Sequence, residues 1–269
     1  MVRLGLITWA AALATAPAFA QTTFTDKNLE AAVRAVLRED KAPLTDEKLR
    51  NVFVLEAPGK GIKDLTGLDK CKNLALLRLT GNEVADLAPL KELTNLQSLD
   101  LAGNKITDIA PLAGLTKLQY LELSRNGVVK LDPLAKLIEL RSLYLTDNKI
   151  ADIAPLADLA KLASLYLGKN AIKDLAPLAK VNRLGTLEIS HNGLEDISPL
   201  AKQTELSLLM MEGCKVADVA AFLAACKADA EGAKRFAPYL RLYVAGTPLK
   251  ADQLAAFKAL GCRVFADAK

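Results

Sequence analysis

Histidine and tryptophan each occur once in the 269 residues, and aromatic residues make up only 5% of them. The lone imidazole, His191, has no cysteine or second histidine near it in the repeat frame, so it offers no zinc site. A base or ligand needs partners, and His191 reads instead as a surface side chain. An excess of one charge is also missing: 35 basic residues face 31 acidic ones, for a net charge of +4. That balance gives no basis for a nucleic-acid or anionic-membrane partner. Long apolar runs are absent beyond the first residues, whereas a membrane-spanning helix needs about 20 consecutive apolar positions.

The first stretch, MVRLGLITWAAALATAPAFA, has one basic residue, Arg3, a short apolar run and a small-residue ending, Ala18-Phe19-Ala20. These are the three parts of a secretory signal peptide, and cleavage is expected after Ala20. Trp9 leaves with it, and no cysteine stands at the cleavage point to receive lipid. The expected destination is the periplasm or the medium.

What the chain has in abundance is one sentence repeated. LQSLDLAGNKITDIAPLAGLTK, from Leu96, returns almost unchanged as LRSLYLTDNKIADIAPLADLAK, from Leu140. Aligned on Asn104, the residues Asn82, Asn126, Asn148, Asn170 and Asn192 fall at multiples of 22, with Cys214 one step further. Leucine or isoleucine stands eight, five and three positions before each Asn. Aliphatic residues follow at two and five, Pro at seven and Leu at eight.

A coil of this kind points its apolar residues inward and alone can bury almost none of them, so the coils must stack. The leucine-x-leucine alternation is a short strand with one buried face, and equivalent strands of successive coils pair as a parallel sheet. An Asn at the following turn is tolerated inside only if its amide satisfies backbone groups of its own and the neighbouring coil. The Pro forbids regular continuation, so the return path is expected to be irregular or 3₁₀.

The patterns LxxLxLxxN and xIxDIxPLAxL, over roughly residues 62–222, resemble the bacterial leucine-rich-repeat family of the internalin type. The resemblance implies an α/β leucine-rich-repeat solenoid, a curved horseshoe that binds other macromolecules, most often through the concave face of its sheet. Three local departures are Lys130 in place of the usual Asp, Gln203 in a buried Leu slot and Ala221 in place of Pro. The expected organisation is a signal peptide over 1–20, a helical N-terminal cap over 21–61, repeats over 62–222, and a terminal repeat with a C-terminal cap over 223–269.

Both ends of a solenoid need a cover. FTDKNLEAAVRAVL reads as an amphipathic helix capped by Thr25 or Asp26, with Leu29, Val33 and Leu37 on one face. At the other end, an Ala-rich helix around residues 219–227 fills an insertion. LRLYVAGTPL then restores the frame with Leu242, Val244 and Leu249. A closing helix over residues 250–260 turns Leu254 and Phe257 inward and precedes the last strand, CRVF.

Only four cysteines are present. Cys71 occupies a buried Leu slot and Cys214 the Asn ladder, so both are expected as packed thiols. Cys226 and Cys262 lie together in the C-terminal cap and could form a disulfide.

The recurring acids Asp64, Asp86, Asp108, Asp152, Asp174, Asp196 and Asp218 share one repeat position, where a short carboxylate caps its own turn before the Pro. No metal or cofactor is called for. Asp100 and Glu122 fall in one column on adjacent coils, about 5 Å apart in backbone, a spacing that retaining glycosidases use. An open sheet lacks the closed pocket that would tune one of them as an acid, so no enzymatic activity is assigned, and cleavage of a wall glycan stands as the alternative.

Positions two, four and six before each Asn are free of packing. The column at four reads Arg78, Asp100, Glu122, Tyr144, Tyr166, Glu188, Met210 and finally Tyr243, with Tyr120 beside it at six. Four of the five tyrosines therefore stand on this face. Tyr offers broad apolar area at low rotamer cost with a hydroxyl at its tip, which suits recognition of a protein, or of a glycan. The expectation is a monomeric protein-binding module. Its anchors would be Tyr120, Tyr144 and Tyr166, with Glu122 and Glu188 setting polarity. A purely structural envelope protein is the remaining alternative.

Overall fold

The computed structural model describes residues 23–267; the expected signal peptide lies outside them. Ten strands of three residues each form one parallel sheet in chain order. They are β1 (Val54–Glu56), β2 (Leu76–Arg78), β3 (Ser98–Asp100), β4 (Tyr120–Glu122), β5 (Ser142–Tyr144), β6 (Ser164–Tyr166), β7 (Thr186–Glu188), β8 (Leu208–Met210), β9 (Arg241–Tyr243) and β10 (Arg263–Phe265). The central residue of each pairs with the central residue of the next, as Leu99 with Leu121 and Leu143 with Leu165. Register follows the period because a slip of one residue would turn every leucine outward.

Leu96, Leu99, Leu101, Ile106 and Leu112 are fully buried, and so are their equivalents in the following coils. Each such side chain removed from water contributes about 1.5–3 kcal/mol. Because no coil can realise that burial alone, the array stands or falls with its stacking. Short 3₁₀ turns carry the return path, opening one residue before the Pro, as at Ala88–Leu90 and Ala154–Leu156. The repeated acids close these turns. Asp86 and Asp152 accept the N–H of Ala88 and Ala154 at 2.8 Å, Asp196 that of Ser198 at 2.7 Å, and Asp218 opens the C-terminal helix through Ala220.

The Asn ladder binds coil to coil. Asn148 Oδ1 accepts the Val128 N–H at 2.9 Å, while its Nδ2 donates to the carbonyls of Leu123 and Leu145, both at 3.0 Å. Asn104, Asn126, Asn170 and Asn192 repeat this set, and Asn82 ties the first coil through Ile62 and Ala57. Cys214 keeps one such bond, from Sγ to the Ile189 carbonyl at 3.3 Å.

Helix α1 (Lys27–Leu37) covers the N-terminal end, followed by the single turn α2 (Asp46–Leu49). Asp26 is the cap: one carboxylate oxygen accepts from Asn28 and Leu29, and the other from Lys63 at 2.8 Å, so one side chain starts the helix and fastens it to the first coil. The sheet begins earlier than the expected repeat boundary at residue 62. Leu55 pairs with Leu77 one period later and makes β1 part of the array.

At the other end α3 (Ala220–Glu231) runs four residues beyond the expected span, and α4 (Ala251–Ala259) lies over it through the tilted Phe222 and Phe257 rings, 6.0 Å apart. Gln203, in its Leu slot, donates to the Leu178 carbonyl at 2.7 Å, but its Oε1 is buried without a partner among the described residues.

Cys226 and Cys262 do not form a disulfide in the structure. Both are buried free thiols, hydrogen-bonded to each other, and Cys262 Sγ also donates to the Ala237 carbonyl at 3.2 Å. That mutual bond, together with burial, pushes the Cys226 thiol up. Burial likewise raises Cys71 to about 12.

Candidate interaction face

Alternation along each strand puts one residue in the core and its two neighbours on the inner surface. The register assembles the expected column: Arg78 beside Asp100, then Glu122, Tyr144, Tyr166, Glu188, Met210 and Tyr243 in adjacent strands. The ends add two residues not foreseen, Glu56 beside Arg78 and Phe265 beside Tyr243. Both were hidden because β1 and β10 lie in segments outside the Asn frame.

Tyr120 sits in the next column, opposite Ser98 and Ser142. Its ring nevertheless reaches Tyr144 at 5.4 Å between centroids, and Tyr144 stacks on Tyr166 at 4.7 Å with 21° between planes. The three rings form one continuous aromatic stack across β4–β6. Burial, then the nearby Glu122 and Asp100 charges, raise the Tyr120 hydroxyl to about 12, and burial raises Tyr166 as well. Both hydroxyls stay protonated donors near neutral pH. A second stack, Tyr243 on Phe265 at 4.4 Å, closes the C-terminal end of the face.

The acids of the column are turned toward the backbone. Asp100 accepts the Ala102 N–H, Glu122 that of Ser124 at 2.7 Å, and Glu188 those of Ser190 and Gly168. Gly168 is what admits Glu188: a Cβ there would meet its Oε2 at 2.3 Å. Burial pushes the Glu122 carboxyl upward, opposed by the bonds from Ser124. Asp100 also lies 3.6 Å from Arg78 Nε, and Arg78 pairs with Glu56 at 2.8 Å. The acids thus pin the strand ends while lending the face its polarity, and Asp100 and Glu122 stand in register on adjacent strands.

The turn after each strand shows a further pattern. The residue before every ladder position has positive φ: Gly59, Gly81 and Gly103 first, then Arg125, Asp147, Lys169 and His191, then Gly213 and Gly246. Glycine at this place in the outer coils was the available signal that the middle coils hold side chains in a left-handed conformation. Among the described residues no cluster of three His, Cys, Asp or Glu could hold a metal ion, and no helix is long and apolar enough to cross a membrane.

Comparison with known proteins agrees with this architecture. A leucine-rich-repeat family model, "Leucine Rich repeats (2 copies)", matches residues 94–136 and 138–180. Internalin C2 of Listeria monocytogenes is 34% identical, with 77% of this chain and 94% of that one covered and a TM-score of 0.72. The internalin InlF of the same species is 26% identical over 91% and 89% of the two chains, at a TM-score of 0.55. A leucine-rich-repeat protein of Leptospira interrogans shares the fold at 18% identity and a TM-score of 0.62, with 73% of this chain and 61% of that one covered. No curated protein sequence matches.

Proposed function

The chain belongs to the bacterial internalin-type leucine-rich-repeat family and is an interaction module, and from that premise we propose that it binds a protein outside the cytoplasm through its concave face, with Tyr120, Tyr144 and Tyr166 as anchors. The observation that carries the reading is the aromatic stack. Three large side chains in the middle of an open sheet face contribute nothing to the leucine core. Their area and hydroxyls are the composition of binding hot spots.

The stack also favours protein over glycan. A sugar ring packs on a free aromatic face, yet Tyr144 has Tyr120 on one side and Tyr166 on the other. What the central ring leaves to a partner is its edge and hydroxyl, which suit side chains and backbone carbonyls.

The test is capture from bacterial envelope extract with the wild type and with a Tyr144→Ala, Tyr166→Ala variant. Loss of two central anchors should weaken the captured complex about 100-fold or more, with the fold retained and thermal stability lowered only by the lost ring contacts, because neither ring is in the core. A partner held equally by both proteins moves the site off this face.

A further inference from the structure

Four consecutive turns keep an unfavourable backbone that their neighbours avoid. Arg125, Asp147, Lys169 and His191 have φ of 57, 61, 52 and 56°, while every equivalent turn on either side uses glycine. In this region an L-residue's Cβ crowds the following carbonyl oxygen, a strain that glycine escapes. The four side chains are exposed, and none has an ion-pair or side-chain hydrogen-bond partner recorded among the described residues. The His191 ring lies over Gly213 and Arg125 Nε near Gly103 in adjacent coils, but no ion pair or side-chain hydrogen bond offsets the strain. The block follows β4, β5, β6 and β7, and the first three of these strands carry the tyrosine stack.

Strain retained with no ion pair or hydrogen bond to offset it, at four turns in succession beside the rings, is a mark of a functional surface. The charge on this rim points to what it meets. Arg125 and Lys169 stand at the end where the chain leaves the strands. On the entering side, Arg141 and Arg183 flank a cleft floored by Ala163 and Gly185. Against Arg125 and Lys169 the rim offers one acid, Asp147, and the cleft sets Glu205 alone against Arg141, Lys161 and Arg183, while Glu122 and Glu188 on the face are occupied with backbone N–H groups.

We propose that the rim Arg125, Asp147, Lys169 and His191 is the second half of the recognition surface, and that the partner presents to it an acidic protein segment lying across the tyrosine stack. This rests on the concave-face reading above. The rim supplies charge complementarity and the rings supply contact area, the usual division between orientation and affinity.

The experiment selects phage-displayed random dodecapeptides on the intact protein. The selected peptides are then measured against a variant with Arg125→Gly, Asp147→Gly, Lys169→Gly and His191→Gly, and against Tyr144→Ala, Tyr166→Ala. The peptides should be enriched in Asp and Glu and should lose about tenfold or more in affinity to the four-glycine variant. That same variant should melt roughly 5 °C higher, since the relief of strain at four turns exceeds the extra chain entropy that glycine loses on folding. Peptides without acidic bias, undiminished binding to the four-glycine variant, failure to select any binder, or preferential retention of polygalacturonate each overturn the proposal. If binding survives the glycines but not the tyrosine changes, the rim alone is wrong. If it survives both, the concave face falls with it.

Discussion

Replacing Asn148 by Ala should destabilise the protein by about 2–4 kcal/mol, read from chemical denaturation. The side chain satisfies three backbone groups from three places in the array: the Val128 N–H and the carbonyls of Leu123 and Leu145. A methyl group would leave the Val128 N–H without a partner and take one of two bonds from each carbonyl, since Leu123 and Leu145 keep those from Asn126 and Asn170. A buried backbone group left without a partner costs about 1–3 kcal/mol, partly recovered where water can enter. Asn148 is central and fastens its coil to the preceding one, so the damage falls on an interior interface and cannot be confined by fraying from an end. Cys214→Ala, which removes one bond to sulfur near the C-terminal cap, should cost clearly less. Equal losses at the two positions would show that the ladder is not what couples the coils.

Asp229→Ala should cost about 2–4 kcal/mol and release the C-terminal cap. The Asp229 carboxylate sits at the end of α3 and accepts N–H groups from Arg235, Phe236 and Ala237 at 3.1, 3.0 and 3.0 Å. It thereby holds the loop that leads into β9. Burial alone would raise its pKa, but the three backbone donors outweigh burial and leave it below the ordinary 3.8. The sign for stability follows from the depressed value. The contribution is fully present above the unfolded pKa and is lost as the pH falls through the folded one. Thermal midpoints measured from pH 5 down to pH 2 should therefore fall more steeply for the wild type than for Asp229→Asn, which cannot titrate. Parallel curves would contradict this assignment.

The sequence reveals the repeating interior well because one position in the coil sees one environment. Leu96, Leu99 and Leu101, with all their equivalents, are buried where the period puts them, and the ladder bonds are those that an inward amide at that turn must make. Its reach ends where the period is broken. Asp229 lies in the insertion, and nothing in its neighbourhood marks it as the acceptor for three amides six to eight residues on. Likewise β1 and β10 pair with the array without an Asn to announce them. The polarity of the face was also only partly legible. Glu188 stands in the expected column, but its turn toward Gly168 depends on a missing Cβ one strand away, a relation that emerges only when the two coils are stacked. The cap cysteines meet as expected and stand as thiols, because proximity in the chain pattern says nothing about oxidation.

The concave site is tested most directly by light-driven cross-linking. A benzoylphenylalanine at Ser142, beside Tyr120 in the register of the inner face, is compared with one at Lys136, exposed on the return path after the 3₁₀ turn Asp132–Leu134. Illuminated in envelope extract, the Ser142 probe should give a discrete adduct with one protein that the Tyr144→Ala, Tyr166→Ala change abolishes, and the Lys136 probe should give none. The same adduct from Lys136, with none from Ser142, would place recognition on the convex side and contradict the account.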